Sequence, residues 1–218
     1  MAEAILAVRG GLGAKSRLAA VFSDAERAAL VEAMLLDMLD ALAGAGAGAV
    51  RRVWVVTPTE RLERLAAAAG ARVIREPRPA GLNAAFRCGL AAAAEEAPYA
   101  DIVLLPGDLP TLRAQDVDAA LLLLRTHDLV LALASRDGGT GLLAVRAGVP
   151  FTPQFGAQSC ARHRRQARAR GLSCALVEAG SLALDLDRPE DAVEVARGPC
   201  GRRTAEVLSD LKSRWRAQ

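Results

Sequence analysis

Apolar residues recur along this chain in two alternating rhythms. Short unbroken runs predict strands at Ala4 to Val8, Val53 to Thr57, Ala71 to Arg75, Ile102 to Leu105, Leu129 to Ala134, Leu142 to Val145 and Ala175 to Val177. Between them, apolar positions fall three and four apart, the spacing of one helix face. Leu30, Val31, Met34, Leu35, Met38, Leu39 and Leu42 give the clearest case. A capping box, Ser23-Asp24-Ala25-Glu26, opens that helix, and the Gly-Ala connector 44–48 ends it. Further helices are expected over 60–69, over 84–96 with Asn83 as cap, over 114–125, over 159–170, after Asp191, and over 202–215. Strands alternating with helices imply an α/β chain with a mostly parallel sheet and helices on both faces. No linker is long enough to divide it, so residues 1–218 read as one domain.

Composition narrows the function classes. The 218 residues are 52% hydrophobic, enough for a sizeable core. A net charge of +3 and 3% aromatic content exclude a polybasic nucleic-acid binder and a base-stacking platform. No apolar run reaches the roughly 18 residues of a membrane span, and no signal peptide is visible, so a cytoplasmic location is expected. The four cysteines form no CxxC pair, which argues against zinc or a redox dithiol. Cys88 and Cys174 are expected to be small buried hydrophobes. A homodimer is compatible with the chain, and nothing in the sequence fixes the oligomeric state.

Candidate chemistry gathers in three places. The first is Leu104-Leu105-Pro106-Gly107-Asp108-Leu109-Pro110, which delivers Asp108 just past a strand's carboxyl end, where α/β sheets bind ligands. Asp108 there suits a divalent cation carrying phosphates, or it caps the next helix as a turn residue. Asp185 and Asp187 alternate, so on an extended segment both face one way. They could complete a Mg²⁺ clamp, or one of them could cap the helix beyond with Asp191.

The second place is the loop Arg9-Gly10-Gly11-Leu12-Gly13-Ala14-Lys15-Ser16-Arg17. Its glycines allow close approach to phosphate, and three basic residues add charge. It matches neither a Walker A loop nor the dinucleotide fingerprint, so a flexible turn with solvated bases is the competing reading.

The third place is Asp137-Gly138-Gly139-Thr140 with Phe155-Gly156-Ala157-Gln158-Ser159 and His163. Thr140, Ser159 and the amides near Gly156 are donors suited to a phosphorylated or carboxylated ligand. His163 lies one turn from Ser159, and a surface histidine is the expectation for it. With only two histidines and no nucleophile motif, phosphoryl chemistry fits better than acid–base hydrolysis.

The ordered set of motifs resembles the 2-phospho-L-lactate or phosphoenolpyruvate guanylyltransferases of coenzyme F-420 biosynthesis. Ala14-Lys15-Ser16-Arg17-Leu18, Gly81-Leu82-Asn83-Ala84-Ala85, the Asp108 motif, Asp137-Gly138-Gly139-Thr140, Phe155-Gly156-x-x-Ser159 with His163, and Asp185-Leu186-Asp187-x-Pro189-Glu190-Asp191 carry the likeness. It implies a nucleotide-diphospho-sugar transferase (GT-A-like) fold. It also implies transfer of GMP from GTP to a phosphorylated three-carbon acid (2-phospho-L-lactate, phosphoenolpyruvate or 3-phosphoglycerate), with release of pyrophosphate.

On that likeness Asp108 and Asp185, with Asp187 beside them, match the Mg²⁺-binding acids. Thr140, Gly156 and Ser159 match the contacts of the small acid. The first loop, with Arg9, Gly10, Gly11 and Arg17, and Asn83 fall where the nucleotide is held. Lys15 would neutralise the pyrophosphate. Three positions depart from the family's habit: Gly141 stands where Asn is usual, Cys160 where an aromatic is usual, and Arg9 where Lys is common. A molybdenum-cofactor nucleotidyltransferase and a non-catalytic nucleotide-binding module are the alternatives.

Overall fold

A computed structural model of the chain describes residues 1–10, 15–76, 78, 80–134 and 137–215. Its spine is β1 (Ala2–Ala7), buried along its whole length. Parallel neighbours β2 (Val50–Thr57) and β4 (Asp101–Pro106) flank it. β3 (Arg72–Arg75) extends the parallel half beside β2. On the other side β6 (Thr140–Val145) runs antiparallel to β4 and to β5 (Leu129–Leu133), and β7 (Cys174–Leu176) pairs parallel with β5. The order is β3-β2-β1-β4-β6-β5-β7. The expectation of a mostly parallel sheet therefore holds. β6 is the exception because the short turn after β5 leaves no room for a crossover.

Alternation along the strands builds two apolar layers. Ala4 and Leu6 of β1 and Val103 and Leu105 of β4 pack with α1 (Asp24–Ala43), α2 (Glu60–Ala68), α4 (Ala114–Leu124) and α6 (Pro189–Val195). Ile5, Ala7 and Leu104 face α3 (Leu82–Glu96) and α5 (Ser159–Ala169). α7 (Arg202–Trp215) joins the first layer through Leu208 and is seated against α1. Ser23 accepts from Glu26 and the Glu26 side chain from Ser23, the capping box read in the sequence. Among the described residues no helix is long and apolar enough to cross a membrane.

Two expectations about cysteine fail. Cys88 is exposed and Cys174 only half buried, whereas Cys160 lies in the α5 layer. Cys88 falls on the outer side of α3, away from the stripe of Ala85, Phe86 and Ala93.

Candidate active site

The parallel strands end on one rim, and β4 brings Asp108 there. Gly107 donates its N–H to the Ala7 carbonyl at 2.9 Å. A Cβ on Gly107 would stand 2.6 Å from Val8 Cγ2 and 2.9 Å from the Ala7 oxygen, so only glycine lets the chain cross the end of β1 here. Asp108 caps no helix: α4 starts six residues later, with Arg113 at its N-cap. The Asp108 carbonyl instead accepts the Leu186 N–H at 3.1 Å, which ties the late acidic segment to the β4 loop.

Leu186 points into the core, and Asp185 and Asp187 on either side stay half exposed, as alternation requires. Neither caps α6. The capping carboxylate is Asp191, whose Oδ2 accepts from the Asp187 and Arg188 amides at 2.9 and 2.7 Å. Asp185 and Asp187 are thereby left for other work, and the helix-cap reading of them is corrected.

Carboxylate oxygens of Asp108, Asp185 and Asp187 all lie within 4.8 Å of one another. Lys15 enters this cluster from the first loop. Its Nζ stands 2.9 Å from Asp108 and 2.7 Å from Asp187, and Arg17 is 3.8 Å from Asp187. Burial opposes the charge on Lys15, but Asp108 and Asp187 outweigh it and hold the ammonium above its ordinary pKa. Burial likewise opposes ionisation of Asp187, but Lys15 and Arg17 bring its pKa below the ordinary value. Asp185 has no ion pair among the described residues. Burial, then the charge of Asp108, pushes its pKa up. Three carboxylates against one ammonium and one more distant guanidinium make a hard-oxygen set with unmatched negative charge, which fits a divalent cation such as Mg²⁺.

A cavity of about 430 Å³ opens over this cluster. Lys15, Asp108 and Asp187 line it together with Ala7, Arg9 and Leu82. Gly10 follows Arg9 and packs on Leu62 and Thr59. Gly11 lies outside the described residues.

The other predicted residues form a second group, on the β6 side. Thr140, at the start of β6, is buried with Ser159 and His163 of α5. Ser159 Oγ donates to Thr140 Oγ1 at 2.9 Å, and His163 Nδ1 lies 3.1 Å from the same oxygen. His163 Nε2 accepts the Gln154 N–H at 2.8 Å, so the neutral ring carries its proton on Nδ1 and donates to Thr140. Burial lowers the His163 pKa to about 4, with Arg162 adding to the effect. His163 is therefore a core residue rather than the surface histidine expected. Ser159, His163 and Ala167 make a buried stripe at four-residue spacing, the one signal in this arginine-rich helix that pointed inward.

Gly156 remains exposed beside this group. Asn83 sits inside the first turn of α3 instead of capping it. Its amide donates to the Phe155 carbonyl at 3.0 Å and accepts the Phe155 N–H at 2.7 Å, which places it against the Phe155 loop.

Sequence reasoning passed over Glu76, which stands just past β3 as Asp108 stands just past β4. It is buried, and Arg9 is the charge that faces it. An acid immediately after a strand was the available signal.

Comparison with known proteins now gives this geometry a family. The model of the family described as "Guanylyl transferase CofC like" matches residues 2–215. The chain belongs to that family. It is thus a nucleotidyltransferase that transfers a guanylyl group, which decides against the non-catalytic module and the molybdenum-cofactor type.

A phosphoenolpyruvate guanylyltransferase of Mycobacterium sp. (strain KMS) is 38% identical over 212 residues, covering 94% of this chain and 90% of the relative. One from Mycobacterium leprae (strain Br4923) is 34% identical over 215 residues, covering 95% and 94%. Among solved structures, a protein of Desulfovibrio desulfuricans G20 described as a nucleotide-diphospho-sugar transferase superposes with a TM-score of 0.72. It shares 18% identity and covers 98% of this chain and 96% of its own, a likeness of fold.

Proposed function

We propose that the chain transfers GMP from GTP to phosphoenolpyruvate or a closely related phosphorylated three-carbon acid, with Mg²⁺, in coenzyme F-420 biosynthesis. The observation that carries this reading is the cluster of Asp108, Asp185 and Asp187, with Lys15 paired to the first and last where these line the cavity. The curated relatives named phosphoenolpyruvate guanylyltransferase support the acid.

An oxygen of the acid's phosphate attacks the α-phosphorus of GTP. The bond from that phosphorus to the bridging oxygen breaks, and pyrophosphate leaves. The attacking phosphate has a second pKa of about 6, so it arrives largely anionic and needs no general base. Asp108 and Asp185 would hold Mg²⁺, which when bound supplies Lewis-acid stabilisation of the phosphate charge. Asp187 holds Lys15 by its amine, and Lys15 meets the negative charge growing on the leaving pyrophosphate.

Thr140 supports the acceptor side. Its oxygen accepts from both Ser159 and His163, which leaves its own hydroxyl hydrogen to give.

The test is GTP and Mg²⁺ with 2-phospho-L-lactate, phosphoenolpyruvate and 3-phosphoglycerate in turn, read by pyrophosphate release and product mass. One guanosine-diphospho acid is expected to dominate. Pyrophosphate release with none of them removes the acceptor reading. Asp108→Asn is expected to keep its circular dichroism and lose about a thousandfold in turnover. Near-normal turnover of that variant at saturating Mg²⁺ removes the metal assignment.

A further inference from the structure

The acids and Lys15 account for the phosphates, but nothing so far reads the base. Its direction follows from the sheet. The acid cluster stands beyond β4, and Thr140, Ser159 and the Phe155 loop lie on the β6 side of it. The acceptor occupies that side, so the nucleoside must extend the other way, over the rims of β1, β2 and β3. On that side the cavity is lined by Ala7, at the end of β1, and by Arg9 just beyond it. Ligands in open α/β sheets lie over this carboxyl rim.

Two polar side chains stand just past β2 and β3 on that side. Thr59 Oγ1 is buried and has no hydrogen-bond partner among the described residues. Glu76 is 9% exposed, and its carboxylate accepts no hydrogen bond from the described residues. Its backbone is pinned where β3 leaves β2, because the Glu76 N–H donates to the Thr57 carbonyl at 2.9 Å.

Both groups border the start of the nucleotide loop. Arg9 is the charge facing Glu76, and a Cβ on Gly10 would come within 3.1 Å of Thr59 Oγ1 and 2.4 Å of Leu62. Gly10 thus lies close on this corner. Thr59 Oγ1 is buried without a partner among the described residues, and the little-exposed Glu76 is faced by Arg9, a residue that lines the cavity, so a ligand entering on the Arg9 side meets two groups able to take its donors.

We infer that the Glu76 carboxylate reads guanine, accepting from the ring N1–H and the 2-amino group together. Guanine alone among the common bases presents two adjacent donors on that edge. Adenine and cytosine offer one amino group beside an acceptor, and uracil one N–H between two. A fixed carboxylate therefore selects guanine and rejects the others by leaving an acceptor facing an acceptor. This inference rests on the placement of GTP proposed above.

Inosine triphosphate is the discriminating probe, since it differs from GTP only in lacking the 2-amino group. Phosphate, metal and acceptor contacts are common to both. The wild-type chain is expected to favour GTP over ITP by about ten- to a hundredfold in kcat/KM and in binding at saturating Mg²⁺. In Glu76→Gln that ratio is expected to shrink to within about threefold, chiefly through a raised KM for GTP.

Equal use of GTP and ITP by the wild type overturns the inference, and that measurement depends on no variant folding. A Glu76→Gln enzyme that weakens on both nucleotides alike, with the ratio kept, also overturns it, because that is how a purely structural carboxylate behaves. If no acid supports turnover, the acceptor reading fails, while the two equilibrium binding constants still judge Glu76.

Discussion

At Gly141 a single methyl group decides whether β6 and the acid-bearing segment can meet. The Leu182 carbonyl lies against the Gly141 backbone so closely that a Cβ would stand 1.9 Å from its oxygen. Leu182 is three residues from Asp185, so this contact helps to set where the acids stand. The family's usual Asn cannot occupy this position without moving Leu182, which gives the departure at 141 a physical meaning. Gly141→Ala is expected to cost about 3 kcal/mol by overpacking, measured in urea denaturation, and to lower turnover more than nucleotide binding. Unchanged stability would mean that the Leu182 segment yields without cost. At this scale the site was partly legible. Asp108 stood out by its place just past β4, Lys15 by its glycine-rich basic loop, and Asp185 and Asp187 by their alternation. Glu76 did not, because it opens a proline-rich stretch that reads as plain loop, although the strand end at Arg75 was itself legible. His163 did not, because its arginine neighbours read as a solvated face.

Elements were read more surely than their attachments. The apolar period of α1 and its capping box specify a helix locally, and the helix forms as expected. What seats α7 is non-local. Asp37 of α1 accepts from the Arg203 and Thr204 amides and the Thr204 hydroxyl at 3.2, 2.8 and 2.8 Å, so one helix caps another. No spacing rule joins residues this far apart, and the pairing could not be read from the chain. The antiparallel course of β6, by contrast, was open to a local reading, because the turn that separates it from β5 is too short for a crossover. Asp37→Ala is expected to remove about 2 kcal/mol by stripping the cap from a half-buried helix end. Amide exchange should then speed up in α7 while β1 and β4 stay protected. Equal acceleration in the central strands would show that α7 and the sheet unfold as one unit.

Across the whole molecule, acidity acts on the two sides of the site in opposite ways. His163 is buried, and its pKa falls from 6.5 to about 4 on folding, so below pH 6.5 the unfolded chain takes up a proton that the folded chain refuses. The stability tied to His163 is therefore full above pH 6.5 and is lost as the pH falls towards 4, by about 3 kcal/mol at most. Asp185, whose pKa is raised chiefly by burial, works the other way, since the folded state protonates first and gains as the pH falls. Asp187 is lowered despite its burial, because Lys15 and Arg17 prevail, and it loses its contribution only below the ordinary aspartate range. Lys15, raised against its burial by Asp108 and Asp187, contributes at every pH below its unfolded value and loses that contribution only in alkali. Subtraction isolates the histidine from these acids. Urea midpoints of wild type and His163→Gln, taken from pH 8 to pH 4.5, are expected to converge as the pH falls, because only the wild type carries the refused proton. Parallel curves would place the His163 pKa near its ordinary value and would require the Gln154 and Thr140 hydrogen bonds to survive protonation. They cannot both do so, since a protonated ring has no acceptor left for the Gln154 amide.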